Sequence, residues 1–186
     1  MKKDLGNVGE LFPQSVFIVG SYDESGTPNA MNVAWGGECT RDEICINIGD
    51  HKTTDNIIAR GAFTVAPADV AHVVQADYFG IATGRKVNKA AASGLTFAKS
   101  KHVDAPVIEE FPLTMECEVV AVQDWQGEKR FIGKVVNTCV DESALDDQGR
   151  VDFDKLRPIV YDSTRRIYRV VGEEVGGAWS AGKALM

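Results

Sequence analysis

The 186-residue sequence predicts a mostly β domain, a β-barrel of antiparallel strands with short helices. Three observations predict it. Residues 113–119 alternate, with Leu113, Met115, Cys117 and Val119 on one face and Thr114, Glu116 and Glu118 on the other, the pattern of a half-buried strand. Two β-branched and aromatic runs, 15–22 and 29–35, flank the turn-forming Asp23-Glu-Ser-Gly-Thr-Pro28 and read as a hairpin. Further strand-like runs outnumber helical ones, and no repeat, low-complexity tract or linker divides the chain. One domain over 1–186, closed rather than an open sheet, is the expected solution.

Taken in order, the hairpin's second run places Asn29, Met31, Val33 and Trp35 on one face. Ala30, Asn32 and Ala34 lie on the other, because strand side chains alternate. That second face is small enough for something flat to approach the backbone. Residues 44–48 form a third strand. Residues 52–60 read as a short helix capped by Thr53 or Thr54 and closed by Gly61. A strand at 63–66 follows. Val70, Val73 and Val74 then recur at helical spacing, predicting a helix over 69–79. Residues 80–106 form a long irregular stretch with one short helix near 88–93, a length that marks a functional or disordered connection. Residues 130–140 supply an antiparallel partner for 113–119. After a polar insert at 141–154 come strands at 156–161 and 167–171.

Composition excludes several function classes. Hydrophobic residues make up 44% and charged residues 25%, the balance of a folded globule. The net charge is −7, so no basic excess is available for nucleic acid or an anionic membrane, and an anionic ligand needs a local set of amides and cations. No apolar run approaches the roughly 18 residues of a spanning helix, and the start carries no apolar signal core. Cys39, Cys45, Cys117 and Cys139 show no CxxC pairing, and three lie in apolar runs. Buried thiols in a reducing cytoplasm are expected rather than a disulfide framework or zinc site. His51, His72 and His102 are too dispersed for a metal cluster.

The most informative local feature is Ile48-Gly49-Asp50-His51-Lys52-Thr53-Thr54, at a strand-to-helix turn. Unpaired amides at a helix start carry partial positive charge, so a phosphate can sit there with Lys52 and the hydroxyls completing its shell. An ordinary capped helix with an exposed lysine has the same local pattern. Trp35-Gly-Gly reads either as room for a ligand or as a buried tryptophan before a flexible turn. Lys86-Val-Asn-Lys89 offers cations to a phosphate or is a solvated surface. Glu109-Glu110 reads as loop charge. No G-x-G-x-x-G opens a βαβ unit, and no nucleophile lies in register with a histidine, so neither a Rossmann site nor hydrolase chemistry is expected.

Read together, residues 16–37, 52–57, 76–80, 93–96, 104–106, 111–113 and 131–134 and the late pair Tyr161 and Tyr168 resemble the flavin reductase-like, FMN-binding split-barrel family, near its flavoredoxin members. The order and spacing of these runs, rather than any one of them, carry the resemblance. It implies a Greek-key split barrel, a homodimer, and FMN near the dimer interface. Carried over, Asn29, Met31, Asn32, Val33, Ala34 and Trp35 would lie along the isoalloxazine ring. Ile48, Gly49, Asp50, His51, Lys52, Thr53 and Thr54 would hold the phosphate, with Lys86 and Lys89 close by. Asn88 stands for a common Asp, Ala90 for an aromatic, and Asn32 for a frequent Thr. The implied activity is hydride transfer from NADH or NADPH to flavin, with electrons passed to free flavin or another acceptor. The alternatives are an FMN electron carrier reduced by a partner protein, and a non-redox scaffold.

Overall fold

A computed structural model describes residues 1–186. The strands are β1 (Gln14–Ser15), β2 (Phe17–Tyr22), β3 (Pro28–Val33), β4 (Gly36–Glu38), β5 (Glu43–Ile48), β6 (Ala62–Pro67), β7 (Phe97–Lys99), β8 (Pro106–Ile108), β9 (Leu113–Trp125), β10 (Glu128–Val140), β11 (Ile159–Asp162) and β12 (Ile167–Val170). The helices are α1 (Lys52–Arg60), α2 (Val73–Ile81), α3 (Lys89–Ser93) and α4 (Phe153–Leu156), with short 3-10 turns at Glu142–Ala144 and Ala181–Leu185.

Seven strands form one sheet in the order β3-β2-β6-β9-β10-β5-β4, every pairing antiparallel. The closed barrel expected from strand number is corrected in one respect. The edge strands β3 and β4 share no ladder; the chain passes from one to the other through Ala34 and Trp35, and the Asn47 amide of β5 donates to the Trp35 carbonyl at 2.8 Å, extending the β4–β5 pairing. The barrel is split along that seam. Two bulges bend the long β9–β10 hairpin, at Ile132/Gly133 and Val135/Asn137. At Gly133 a Cβ would lie 2.4 Å from the Phe63 ring, so the bend depends on a residue without a side chain.

Two cores result. Inside the curl, Val19, Val33, Ile44, Ile46, Ile48, Phe63 and Phe131 interdigitate, the inward half of each strand's alternation. Outside it, Val16, Ile18, Ala30 and Ala66 pack under α2 through Ala76 and Phe79, joined by Phe111 and Ile159. β3 is therefore covered on both faces at its middle. The middle of its small-residue face is taken by α2: Ala30 is buried beneath it, and the Asn32 amide donates to the Ala76 carbonyl at 2.9 Å.

Several local expectations need correction. Helix α2 starts at Val73 because the buried Asp69 carboxylate accepts the His72 amide at 2.9 Å and Asp69 bridges Pro158. Val70 and Val74 are 38% and 74% exposed, so their spacing did not mark a core face. Residues 36–38 are strand rather than flexible turn, since a Cβ at Gly36 would meet the Cys45 carbonyl oxygen at 2.7 Å. The stretch 80–106 holds the expected helix as α3 and also β7, paired with β8. Of the cysteines only Cys117 is buried; Cys39 and Cys139 are exposed, and Cys45 is intermediate. No helix is long and apolar enough to cross a membrane.

Candidate functional site

A groove runs along β3 between the start of α1 and the β11–β12 hairpin, as three adjoining cavities. The first, about 150 Å³, lies between Asn29, Met31, His51, Lys52 and Thr53 on one side and Phe79–Gly84 on the other, with Lys89. It shares Asn29, Lys52, Gly84 and Lys89 with a second, about 230 Å³, that adds Arg85, Lys86 and Asn88. Gly80 and Ile81 connect the first to a third, about 460 Å³, lined by Asn32, Ala34, Trp35, Asp77, Tyr161, Arg166 and Tyr168.

The cationic end is built from α1 and the loop after α2. Neither Thr53 nor Thr54 caps α1, as the sequence suggested. His51 takes the N-cap position and makes no side-chain bond there, leaving the first-turn amides without a side-chain acceptor. The two threonines point inward instead. Thr53 Oγ1 accepts from Asn29 Nδ2 at 2.9 Å, tying α1 to β3, and Thr54 Oγ1 donates to the Gly49 carbonyl at 2.6 Å. At Gly84 a Cβ would sit 2.4 Å from Asn29 Oδ1 and 3.3 Å from Lys52 Cδ, so glycine keeps this end open.

Its cations are nearly all engaged. Lys52 Nζ donates to Asp23 Oδ2 at 2.9 Å. Against some desolvation, hydrogen bonds from Ser25, Lys52 and the Thr27 amide hold the Asp23 carboxyl well below the usual carboxylate range. Arg85 forks onto Asp50 and also reaches Asp55, and the Arg85 bonds depress the Asp50 carboxyl in turn. Lys86 is exposed and has no ion-pair partner. Lys89 departs from the expected surface cation: it is 4% exposed, donates to the Phe79 carbonyl at 2.9 Å, and is pushed down to about 8 by burial.

At the other end Trp35, 47% exposed, stands beside Tyr161 and Tyr168, whose ring centroids are 6.0 Å apart. The Tyr168 hydroxyl donates to Asp77 Oδ1 at 2.8 Å, and burial together with that bond pushes it up to about 12, so it stays protonated.

Of the residues singled out from the sequence, Asn29, Met31, His51, Lys52, Thr53, Lys86 and Lys89 line the cationic end, and Asn32, Ala34 and Trp35 the aromatic end. Val33 and Ile48 send their side chains into the barrel core. Asp50 is turned to Arg85, and Thr54 to the backbone of Gly49, the strand-to-helix link. Gly80–Gly84, Arg85, Asp23, Asp77 and Arg166 were not singled out. Only the glycines of the long connection offered a signal, because their partners lie far away in the sequence.

The chain matches the "Flavin reductase like domain" family model over residues 8–168. It superposes on the flavoredoxin of Desulfovibrio vulgaris (Miyazaki F) with a TM-score of 0.93 and 38% identity, covering 98% of this chain and 100% of that one. It superposes on a flavoredoxin from Methanosarcina acetivorans with a TM-score of 0.91 and 27% identity over the whole of both chains. Nitrilotriacetate monooxygenase component B from Bacillus cereus, at 21% identity, a TM-score of 0.81, and coverage of 91% of this chain and 89% of that one, shares the fold. The split barrel and the family match agree, and the chain belongs to the flavin reductase-like family, close to flavoredoxin.

Proposed function

We propose that the groove along β3 binds FMN, with its phosphate at the cationic end and its ring toward Trp35. The observation that carries this reading is the groove's polarity: four basic side chains and a helix start without a side-chain cap at one end, three aromatic rings at the other. The residues fit the group. Gly84 leaves the space a Cβ would fill, Lys52 and Lys86 supply the charge an acidic chain otherwise lacks, and the Thr53–Asn29 bond fixes the helix start against the strand. Flavoredoxins and an FMN-binding protein from Thermus thermophilus are among the solved structures this chain resembles.

When bound, the flavin supplies the hydride and electron chemistry, so no side chain need act as acid or base. The chain's own residues bind and orient. Lys52 would exchange Asp23 for phosphate oxygens, and Lys89, which lines the same cavities, would be held charged by the bound anion. Asn32 is fixed on Ala76, and Trp35 lines the outer end.

The reaction we propose is oxidation of NADH or NADPH, with electrons passed to free flavin or another acceptor. A homodimer is proposed because the apolar residues Phe12, Trp125, Val175 and Trp179 lie exposed on the single chain. The four free thiols support a reducing, cytoplasmic setting. Purified protein with added FMN should take up the yellow cofactor and oxidise nucleotide. Colourless protein that leaves FMN fluorescence unchanged would remove the reading. A second reading, a carrier reduced by a partner protein, is favoured by one observation: buried Ala90 stands where the family pattern places an aromatic that would cover the ring. Uptake of FMN without nucleotide oxidation selects it.

A further inference from the structure

The third cavity, where the flavin reading puts the ring, has one carboxylate in its wall, that of Asp77 on α2. Carboxylates at the other end of the groove carry cations: Asp23 holds Lys52, and Asp50 and Asp55 hold Arg85. On the β11–β12 hairpin, Asp162 holds Arg169 at 2.9 Å. Asp77 holds none. Its partner is a neutral hydroxyl, donated by Tyr168 at 2.8 Å. Asp77 is also fixed in place. It is half-buried, and α2 is tied to β3 at the preceding residue, where the Asn32 amide donates to the Ala76 carbonyl at 2.9 Å. The other charged group of this cavity, Arg166, stands exposed on the hairpin turn, where water and salt screen it. A fixed, half-buried charge is screened much less, so the carboxylate dominates the field in the cavity.

From these observations we infer that Asp77 tunes the bound flavin: its carboxylate disfavours the reduced ring and sets the flavin at a lower potential than the same cavity would without that charge. Reduction adds two electrons and one proton to the ring and leaves it with a net negative charge. A carboxylate beside it raises the free energy of that state and barely alters the neutral oxidised ring. Tyr168 is the positioning residue, holding the carboxylate through its hydroxyl. A flavin so tuned passes electrons on more readily than it keeps them. The inference rests on the flavin reading and assigns a residue to the regulation of that site.

The full chain is loaded with FMN, and its midpoint potential is measured at pH 7 by reductive titration against an indicator dye. Affinity for oxidised FMN is measured separately by fluorescence quenching. Asp77→Asn keeps the shape and can still accept from Tyr168. Its preference for reduced over oxidised FMN should rise about 10-fold, a midpoint about 30 mV higher for a two-electron couple, with affinity for oxidised FMN nearly unchanged. Asp77→Glu should stay close to the wild-type potential. Tyr168→Phe breaks the hydrogen bond but leaves the carboxylate, and should not raise the potential. A rise in Tyr168→Phe as large as that in Asp77→Asn would assign the effect to the bond rather than the charge and overturn the inference. An unchanged or lower midpoint in Asp77→Asn overturns it too. Uptake separates the two failures: protein that binds no FMN loses the flavin reading and this inference with it, whereas protein that binds FMN at a potential indifferent to Asp77 loses the inference alone.

Discussion

The two ends of the groove solve opposite electrostatic problems. At the α1 end, Lys52 and Arg85 sit on carboxylates a few ångströms away while Lys86 stands exposed without an ion pair, so that a chain of net charge −7 holds a local basic site. At the hairpin end a single arginine is left unpaired beside aromatic rings. The difference teaches that an acidic chain can hold a basic site largely as exchangeable ion pairs, while its aromatic end carries one unpaired cation beside the rings.

The largest effect that would sharpen this contrast is steric. Gly84→Val puts side-chain atoms where a Cβ alone already meets Asn29 Oδ1 at 2.4 Å. FMN affinity should fall by about 100-fold or more, a loss of roughly 3 kcal/mol typical of overpacking, with circular dichroism unchanged. Next comes charge. Lys52→Ala should weaken FMN by about 10- to 100-fold, since a hydrogen bond to a charged group contributes about 1.5–3 kcal/mol. Its stability should change by less than about 1 kcal/mol, because the Lys52–Asp23 pair is partly solvated. Asp23→Asn tests the exchange directly: Lys52 is released, and FMN should bind a few-fold more tightly.

A pH effect of intermediate size separates the ends further. Burial sets Lys89 at about 8, below its ordinary value near 10.5. Below pH 8 it is a cation and attracts phosphate; above, it is neutral. FMN affinity should therefore fall as pH rises through about 8, and Lys89→Met should flatten the profile. The sign for folding is the reverse. Between 8 and 10.5 the unfolded chain binds more protons than the folded one, so this group adds stability as pH rises across that window. The smallest effect is at Tyr168. Tyr168→Phe removes the bond to Asp77 and should cost about 1 kcal/mol in thermal stability, with FMN affinity within about two-fold.

Legibility in the sequence followed the range of the interactions. The 113–119 alternation and the hairpin around 23–28 are local patterns, and both strands are where the periodicity puts them. The turn at Lys52 was visible because its residues are contiguous. The cap was not: Thr53 and Thr54 satisfy any local rule for an N-cap, yet a contact with Asn29, 24 residues away, draws one of them inward. Helix α2 began late for the same kind of reason, a tertiary bridge from Asp69 to Pro158. The small-residue face of β3 was read as admitting something flat, whereas at its middle a helix of the chain itself packs there. Asp77 and Tyr168, 91 residues apart, both lie in runs that carry the family resemblance, yet nothing local pairs them.

The central claim is that the α1 end of the groove grips a phosphate. It is tested most directly by comparing FMN with riboflavin, which differs only in lacking that group, on the wild type and Lys52→Ala. The account predicts that the wild type prefers FMN by about 100-fold and that the variant loses most of the preference. Equal affinity of the wild type for the two flavins would contradict it.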